Sequence, residues 1–316
     1  MIDLRNRRIL VTGGHGFLGS HILAALCRAG CEDVLAPKHS ECDLTRPGAA
    51  EQLFAGYKPE VVIHAAAAVG GIGANQKNPG LFFYSNAIMG IELIEAARRH
   101  RAEKVVVLGT ICAYPRLTPV PFREDDLWNG FPEEVTAPYG IAKKALLVQC
   151  QAYRQQYGMN AIFLLPVNLY GPGDHFDLED SHVVPALIRK FAEAKECCSE
   201  TVTVWGDGSA TREFLYAEDA AEGIVRATEF YDKPDPVNLG SGVEISIREL
   251  ALTIANLVGF RGRIVWDANR PNGQPRRCLD VSRAQSEFGF RATTPLAAGL
   301  RKSIEWYVAN QKALAP

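Results

Sequence analysis

The sequence predicts an α/β fold, with a doubly wound parallel sheet followed by a smaller mixed α/β C-terminal lobe. Three observations support this prediction: strand-like and helix-like segments alternate, the strands are almost continuously apolar, and a glycine-rich turn follows the first strand. Alternation indicates a parallel sheet covered by helices on both faces, and strands buried on both faces are apolar throughout. The strand-like runs are 8–12, 33–36, 60–65, 104–109 and 161–169, and the helical patterns between them are 17–29, 81–100 and 139–157.

The turn after the first strand has the spacing of a dinucleotide-binding loop. Gly13, Gly16 and Gly19 follow the pattern GxxGxxG between a strand and a helix. The first glycine permits a tight turn, the second lets the backbone approach a pyrophosphate, and the third lets the helix pack close to the strand. The helix N-terminus then faces the anion. A glycine turn without a ligand is the alternative, but the strand–turn–helix context favours a Rossmann-type nucleotide site.

The end of the second strand distinguishes NAD from NADP. NAD sites usually carry an acidic residue there, which binds the ribose hydroxyls. Asp33 has about the right offset, but apolar residues 34–36 continue the strand beyond it. The strand therefore ends near Lys38, which can pair with a 2′-phosphate. A solvated loop lysine is the alternative, and we favour NADP as the cofactor.

Beyond about residue 171 the alternation loosens. A helical pattern at 183–195 and a strand at 201–205 are followed by helical patterns at 218–230, 246–258 and 296–310. We expect residues 1–175 to form an NADP-binding Rossmann domain, to which the chain returns around 211–240. Residues 176–316 are then mainly a substrate-binding lobe.

Tyr139 and Lys143 form a YxxxK pattern within the predicted helix 139–157. Residues four apart share one helix face, so the ammonium group is expected near the phenol, where a cation lowers the tyrosine pKa from about 10. Such a tyrosine can exchange a proton with a sugar oxygen, and the lysine can also bind the nicotinamide ribose. Thr110, at the end of the preceding strand, can hydrogen-bond the same substrate oxygen. A lone YxxxK is a weak signal, but its combination with the glycine loop is strong.

Composition and charge exclude other classes of protein. The chain has 316 residues, of which 47% are hydrophobic, and a formal net charge of −2. These values argue against binding to nucleic acid or to an anionic membrane. The eight cysteines contain no CxxC pair, so we expect no metal site and reduced thiols in the cytoplasm. The start of the chain lacks an apolar signal core, and no apolar run is long enough to span a bilayer.

With these motifs, the chain resembles the extended short-chain dehydrogenase/reductase family over nearly its full length. The match includes the second-domain segments 206–219 and 238–242. Segments 64–75, 108–115 and 168–187 resemble the GDP-L-fucose synthases of that family in particular. The resemblance implies a bifunctional epimerase-reductase that converts GDP-4-keto-6-deoxy-D-mannose to GDP-L-fucose with NADPH. C3 and C5 are epimerised first, and hydride transfer to C4 follows.

The resemblance also implies the catalytic roles. A 4-keto group acidifies the protons on C3 and C5, and inversion needs a base on one face and an acid on the other. Cys112 is then the base and His182 the acid, because thiols and imidazoles transfer protons near neutral pH. Tyr139 protonates O4, supported by Lys143 and Thr110. Without the resemblance, a buried packing thiol and a capping or surface histidine are the alternatives.

The resemblance implies two sets of binding residues. The cofactor contacts are Gly13, Gly14, His15, Gly16, Phe17, Leu18, Gly19, Lys38, His39, Asp43, Leu44, Ala65, Ala66, Ala67, Leu108, Gly109, Tyr139, Lys143, Pro166, Asn168, Leu169 and His182. The contacts to the GDP-sugar are Asn168, Lys190, Trp205, Arg212, Asn272 and Arg277. Two of these depart from the family pattern, which often has arginine in place of Lys190 and aspartate in place of Asn272.

Three alternatives remain at this point. Related dehydratases usually carry Thr-Asp-Glu where this chain has Thr110, Ile111 and Cys112, so the missing acid argues against dehydration. A reductase or epimerase of a related nucleotide-4-keto-sugar fits most of the motifs. A non-catalytic NADP-binding protein would need none of the proton-transfer residues. By family analogy we expect a homodimer through two long helices, about 81–100 and 136–157.

Overall fold

The computed structural model describes residues 1–178, 180–269 and 273–314, and across these residues strands and helices alternate as expected. The strands are β1 (Ile9–Thr12), β2 (Val34–Leu35), β3 (Val61–His64), β4 (Lys104–Leu108), β5 (Ala161–Pro166), β6 (Asn168–Tyr170), β7 (Thr201–Trp205), β8 (Thr211–Tyr216), β9 (Val237–Leu239), β10 (Glu244–Ser246), β11 (Arg263–Asp267) and β12 (Arg276–Arg277). The α-helices are α1 (Phe17–Arg28), α2 (Ala49–Tyr57), α3 (Ile72–Lys77), α4 (Pro79–Arg99), α5 (Ala137–Tyr157), α6 (Val183–Glu196), α7 (Ala217–Phe230), α8 (Ile247–Val258), α9 (Ser282–Phe288) and α10 (Leu296–Leu314).

The large sheet is parallel, in the order β2-β1-β3-β4-β5-β9. Every residue of β1, β3, β4 and β5 is buried, which explains their continuous apolar sequences. Helices α4 and α5 pack against each other, and α2 packs on α4, while α1, α7 and α9 form a second group of contacts. The predicted fold class, a doubly wound parallel sheet, is confirmed.

Helices α4 and α5 approach each other closely at Gly90. A Cβ atom at this position would lie 2.2 Å from Cδ1 of Leu146, so only glycine allows the observed spacing. The phenol of Tyr153 donates a hydrogen bond to Glu95 across the same pair of helices, at 3.0 Å. The pair is therefore a fixed unit, and α5 carries Tyr139 and Lys143 at its start.

The expectation of one strand over 161–169 is wrong in one respect, because the run divides at Val167. The strand β5 belongs to the large sheet, but β6 pairs in parallel with β8 in a second sheet. The Val167 backbone N–H still donates to the Leu239 carbonyl at 2.9 Å, and the next residue, Asn168, is opposite Phe214. The chain therefore crosses between sheets here, and Asn168 and Leu169 lie at the junction of the two.

The second sheet has the order β10-β8-β12, with β6 beside β8, and β7 pairs in parallel with β11. A separate hydrophobic cluster surrounds it, built mainly from α6, α8 and α10 and including Phe191, Ile254 and Leu300. Within the described chain, none of the helices combines the length and apolar character needed to cross a bilayer.

Candidate active site

The glycine loop brings three backbone segments into direct contact. Gly13 has a φ of +72°, and a Cβ there would lie 2.7 Å from the backbone of Ala66 after β3. A Cβ at Gly19 would lie 1.9 Å from the Gly13 carbonyl oxygen. Among the described side chains none caps α1 at Gly16, so the first N–H groups of this helix are available to an anion. The loop is shaped to hold a pyrophosphate against the helix N-terminus.

The structure places Asp33 at the wrong end of β2 for ribose binding. It precedes the strand, and its Oδ1 accepts a hydrogen bond from the Tyr57 phenol at 2.7 Å. Ligands of open α/β sheets bind at the carboxyl ends of the strands, which in β2 is the end followed by Lys38 and His39. Both of these side chains are exposed. The His15 ring hydrogen-bonds the Ala36 carbonyl at 2.9 Å, which joins the glycine loop to the end of β2.

Other predicted cofactor residues line the same edge of the large sheet. Ala65 follows β3 and donates its N–H to the Thr12 carbonyl at 3.1 Å. The backbone of Ala68 is fixed by the buried amide of Asn86, with hydrogen bonds of 3.2 and 2.8 Å. Gly109 follows β4, in close contact with Phe163 of β5. The carboxyl ends of the adjacent strands thus form one continuous edge of the sheet beside the glycine loop. Other predicted members of this edge are Phe17, Leu18, Ala67, Leu108 and Pro166.

Asp43 and Leu44 lie in the loop that follows β2, a few residues beyond Lys38 and His39. The Asp43 carboxylate accepts hydrogen bonds from the backbone and hydroxyl of Thr45, at 3.0 and 2.7 Å, which lower the pKa of this carboxyl. Leu44 is buried beneath it. Asp43 is therefore ionised and held in place.

Thr110, Cys112 and Tyr139 are brought together by a short 3₁₀ turn at Ile111–Ala113. The Thr110 hydroxyl accepts a hydrogen bond from the Cys112 backbone N–H at 3.1 Å and also bonds the Tyr139 phenol. Tyr139 and Cys112 share an apolar cluster with Phe82. Gly140 permits this approach, because a Cβ there would lie 2.4 Å from the Cys112 carbonyl oxygen. A phenol, a thiol and a hydroxyl therefore form one group.

The expected lowering of the Tyr139 pKa by Lys143 is wrong for the ligand-free protein. Burial is the dominant cause and raises the pKa of the Tyr139 phenol well above 10, with a further contribution from Cys112 and an opposing one from the Thr110 hydrogen bond. Burial likewise lowers the pKa of Lys143 to about 8. The phenol is therefore neutral and holds a proton that it can donate.

His182 stands immediately before α6, on a loop that contacts the segment after β3. Its side chain retains exposure, and among the described contacts it does not cap the helix. Surrounding protein and the nearby His175 lower its pKa. The loop is anchored by the Gly71 N–H, which donates to the Asp180 carbonyl at 2.7 Å, and a Cβ at Gly71 would lie 2.5 Å from the Ser181 oxygen. This contact fixes the histidine loop beside the loop after β3.

Two arginines lie side by side at the site. Arg277 on β12 is opposite Arg212 on β8. Arg212 donates to the carbonyls of Thr211 and Gln274, at 2.7 and 2.6 Å, and burial together with the charge of Arg277 lowers its pKa to about 10. Arg277 directs its Nη1 to the Cys112 sulfur at 3.8 Å. Two cations on adjacent strands repel each other, so an anion between them is favoured.

The remaining predicted substrate residues lie along the second sheet. Lys190 Nζ donates to the Thr203 carbonyl at 3.0 Å and stands 5.7 Å from the ring centroid of Trp205. Trp205 is 46% exposed at the end of β7, so its ring is accessible for stacking. Asn168 donates to the Glu213 carbonyl at 3.1 Å. The predicted contact Asn272 lies outside the described residues.

Two buried residues beside the arginines are absent from the predicted site residues. Gln274 is buried and links both arginines to the loop after the 3₁₀ turn. Glu213 is fully buried and accepts the N–H groups of Gly242 and Leu279, at 2.7 and 2.6 Å, which ties β8 to its neighbours. Their roles depend on long-range contacts, which no local pattern records.

Within the described residues, no three His, Cys, Asp or Glu side chains converge as a metal site would require.

Comparisons with known proteins agree with this geometry. The profile of the NAD dependent epimerase/dehydratase family matches residues 9–240. The GDP-L-fucose synthase of Sinorhizobium fredii is 45% identical over 98% of both chains. A GDP-L-fucose synthetase from Naegleria fowleri, solved with NADP bound, is 26% identical over 98% of this chain and 96% of its own, with a TM-score of 0.90. A GDP-6-OMe-4-keto-L-xylo-heptose reductase from Campylobacter jejuni is 29% identical over 97% of this chain and 99% of its own, with a TM-score of 0.91.

The family match and the relative at 45% identity each cover most of the chain. The chain belongs to the NAD dependent epimerase/dehydratase family, the extended short-chain dehydrogenase/reductases.

Proposed function

We propose that the protein is a bifunctional epimerase-reductase that converts GDP-4-keto-6-deoxy-D-mannose to GDP-L-fucose with NADPH. One observation carries the proposal: the Thr110 hydroxyl bonds both the Tyr139 phenol and the Cys112 backbone N–H, and the Cys112 sulfur lies beside Arg277. A simple reductase needs the tyrosine but not the thiol. The sequence relative named a GDP-L-fucose synthase supports the choice of substrate.

The residues of the glycine loop fit NADP. Gly13 and Gly19 allow the loop to pack tightly against Ala66 and the start of α1, and α1 directs its N-terminus toward the expected position of the pyrophosphate. Lys38 is exposed beyond β2, where it can pair with the 2′-phosphate, and its backbone N–H donates to the Glu41 carboxylate at 2.9 Å. When bound, the cofactor supplies the hydride for C4.

Cys112 and His182 carry out the epimerisations in this proposal. The thiolate of Cys112 removes the proton from C3 or C5, and the electron pair is delocalised onto the 4-keto oxygen as an enolate. The imidazolium of His182 returns a proton to the same carbon from the opposite face, which inverts it. General acid–base groups of this kind typically contribute about 10²- to 10⁴-fold in rate.

Tyr139 completes the reduction. Its neutral phenol donates a proton to O4 as the hydride reaches C4, and the Lys143 ammonium one helical turn away stabilises the phenolate that forms. The Thr110 hydroxyl already bonds the phenol and therefore fixes its direction. The high pKa of the phenol suits an acid that must hold its proton until the hydride arrives.

Charged and aromatic groups at the second sheet hold the nucleotide. Arg212 and Arg277 face the diphosphate, and a guanidinium forks onto phosphate oxygens. Trp205 offers a stacking surface for the base, with Lys190 beside it. Asn168 and Asn272 complete the proposed set near the sugar.

We further propose that residues 1–175 form the NADP-binding domain, to which the chain returns within 211–240 through α7 and β9 rather than β8, and that 176–316 mainly bind the substrate. We also propose that the protein is a cytoplasmic homodimer. The outer faces of α4 and α5 carry exposed apolar side chains, as a helix-pair interface requires. They are Leu81, Phe83, Tyr84, Ile91, Val148 and Tyr157.

A C4 reductase of a related GDP-4-keto sugar is the second candidate. The structural similarity to the Campylobacter jejuni reductase favours it, with a TM-score of 0.91. The two candidates differ in whether hydrogen exchanges at C3 and C5.

The test is turnover of GDP-4-keto-6-deoxy-mannose with NADPH in deuterium oxide, read by NMR of the product. The proposal predicts GDP-L-fucose with deuterium at both C3 and C5. NADPH oxidation that yields an unlabelled, uninverted 6-deoxyhexose would identify a C4 reductase. Absence of NADPH oxidation would refute the substrate assignment.

A further inference from the structure

The guanidinium of Arg277 contacts the sulfur of Cys112. The distance from Nη1 to Sγ is 3.8 Å, which is hydrogen-bond range for sulfur. The two residues are 165 positions apart in the sequence, and they meet because β12 pairs with β8 at the junction of the two sheets.

Arg277 is held in this position from behind. Its Nε donates to the side-chain oxygen of Gln274, and the Gln274 amide donates to the Arg116 carbonyl at 2.7 Å. Arg116 lies four residues after Cys112, so the brace joins the arginine to the same loop that carries the thiol. Gln274 is buried, which strengthens the effect of its hydrogen bonds. The guanidinium is therefore aimed at the sulfur by a fixed support.

Other charged or titratable groups also lie near the sulfur, and Arg212 interacts with it electrostatically. Arg212 from β8 uses its Nη1 on two backbone carbonyls. Tyr139 from α5 carries a neutral phenol, since burial raises its pKa. Thr110 contributes a hydroxyl that accepts from the Cys112 N–H. Arg277 is a cation that hydrogen-bonds the sulfur itself.

We propose that Arg277 is a positioning residue that stabilises the thiolate of Cys112 and so prepares the base of the epimerisation. The inference rests on the proposed function in one respect: it takes Cys112 to be the base of the epimerisation. A neighbouring arginine favours the thiolate over the thiol, because the charge pair forms only after the proton has left. Arg277 then acts on the base before it meets the diphosphate, and its loss slows C–H cleavage more than it weakens substrate binding.

The experiment measures the pH dependence of Cys112 alkylation in the full-length, substrate-free protein. Iodoacetamide reacts with the thiolate, and mass spectrometry of the Cys112 peptide separates this thiol from the exposed Cys27, Cys197 and Cys198. In Arg277→Gln the midpoint of the alkylation profile is expected to rise by about one pH unit, a roughly tenfold slower reaction at pH 7. Arg277→Lys should restore much of the rate, because the charge remains.

Arg276→Gln is the matched control. This neighbouring arginine is exposed and pairs with Glu244, so its removal should leave the alkylation midpoint unchanged. NADPH binding by each variant confirms that it is folded. An Arg277→Gln midpoint equal to that of the unmodified protein would overturn the proposal.

Solvent-deuterium exchange in the substrate separates this inference from the proposed function. With both correct, Arg277→Gln lowers the kcat for exchange about tenfold with a smaller change in KM. A shifted alkylation profile with unaltered exchange supports the Arg277–Cys112 coupling and refutes Cys112 as the base.

Discussion

Within the catalytic group, burial decides which residue carries a proton. The phenol of Tyr139 is neutral because it is buried, and Lys143 is a weaker base than an exposed lysine for the same reason. The YxxxK spacing predicts that the two residues share a helix face, but it does not reveal how deeply their side chains are buried from solvent. The sequence therefore predicts which groups share the helix face, whereas their protonation states require the structure.

Lys143→Met is expected to stabilise the ligand-free protein while abolishing reduction. Burial lowers the pKa of Lys143 from 10.5 to about 8, so the folded state holds a charge at a desolvation cost below pH 8. At pH 7 the gain is on the order of 3 kcal/mol in the free energy of unfolding. It shrinks as the pH rises from 8 to 10.5, because the folded lysine becomes neutral first and the unfolded one follows. Urea unfolding at pH 7, 9 and 10.5 checks this, and a gain that grows with pH would contradict it.

Lys38→Ala is expected to change cofactor preference rather than activity in general. Loss of a charged contact to the 2′-phosphate costs about 1.4 kcal/mol or more, which is at least roughly tenfold in the KM for NADPH. The KM for NADH should stay within about twofold, since NADH has no phosphate at that position. Steady-state kinetics with both cofactors measures the ratio. An equal increase in KM for NADPH and NADH would show that Lys38 does not bind the 2′-phosphate.

At the scale of elements, the glycines at 13 and 19 determine how α1 meets the sheet. Their spacing in the sequence predicted the strand–turn–helix unit, and the structure contains it. The division of 161–169 into β5 and β6 was not predicted, because apolar periodicity is the same whether a run stays in one sheet or crosses to another. The brace at Gln274 was missed for a similar reason, since its partners Arg116 and Arg212 are distant in the sequence.

Gly19→Ala is expected to disrupt cofactor binding. The new methyl group would lie 1.9 Å from the Gly13 oxygen, so the backbone of the loop must move. Such overpacking costs about 1–3 kcal/mol in stability, and the shifted loop should bind NADPH at least about tenfold more weakly. Titration of NADPH by fluorescence and thermal unfolding measure the two effects.

Gly56→Ala is the matched control for this prediction. Gly56 lies in α2 with open space where its Cβ would be, so alanine should stabilise the helix by about 0.5–1 kcal/mol and leave NADPH affinity unchanged. A similar loss of NADPH affinity in both variants would contradict the role given to the glycine loop.

At the scale of the whole molecule, two hydrophobic clusters meet where the chain crosses between sheets. Cys112 and Tyr139 come from the large sheet and its helices, while Arg212 and Arg277 come from the second sheet. The site therefore forms only when both clusters are folded and apposed. The family resemblance singles out Cys112, Tyr139, Arg212 and Arg277 as separate candidates, whereas the contact of Arg277 with the sulfur required the three-dimensional arrangement.

Ile91→Glu combined with Val148→Glu is expected to convert the proposed homodimer to a monomer. Both side chains are exposed on the paired helices α4 and α5, and buried unpaired carboxylates would strongly oppose association there. Light scattering coupled to size-exclusion chromatography measures the mass. Leu252→Glu, at a 51% exposed position on α8, is the control and should leave the mass unchanged. A dimer that persists in the double variant would place the interface elsewhere.

The most direct test of the account uses Tyr139→Phe with GDP-4-keto-6-deoxy-mannose and NADPH in deuterium oxide. The account assigns proton transfer at carbon to Cys112 and His182, and protonation of O4 to Tyr139. The variant should therefore still incorporate deuterium at C3 and C5 while its rate of NADPH oxidation falls by about 10²-fold or more. Loss of exchange together with reduction, in a variant that still binds NADPH, would contradict this division of the chemistry among the three residues.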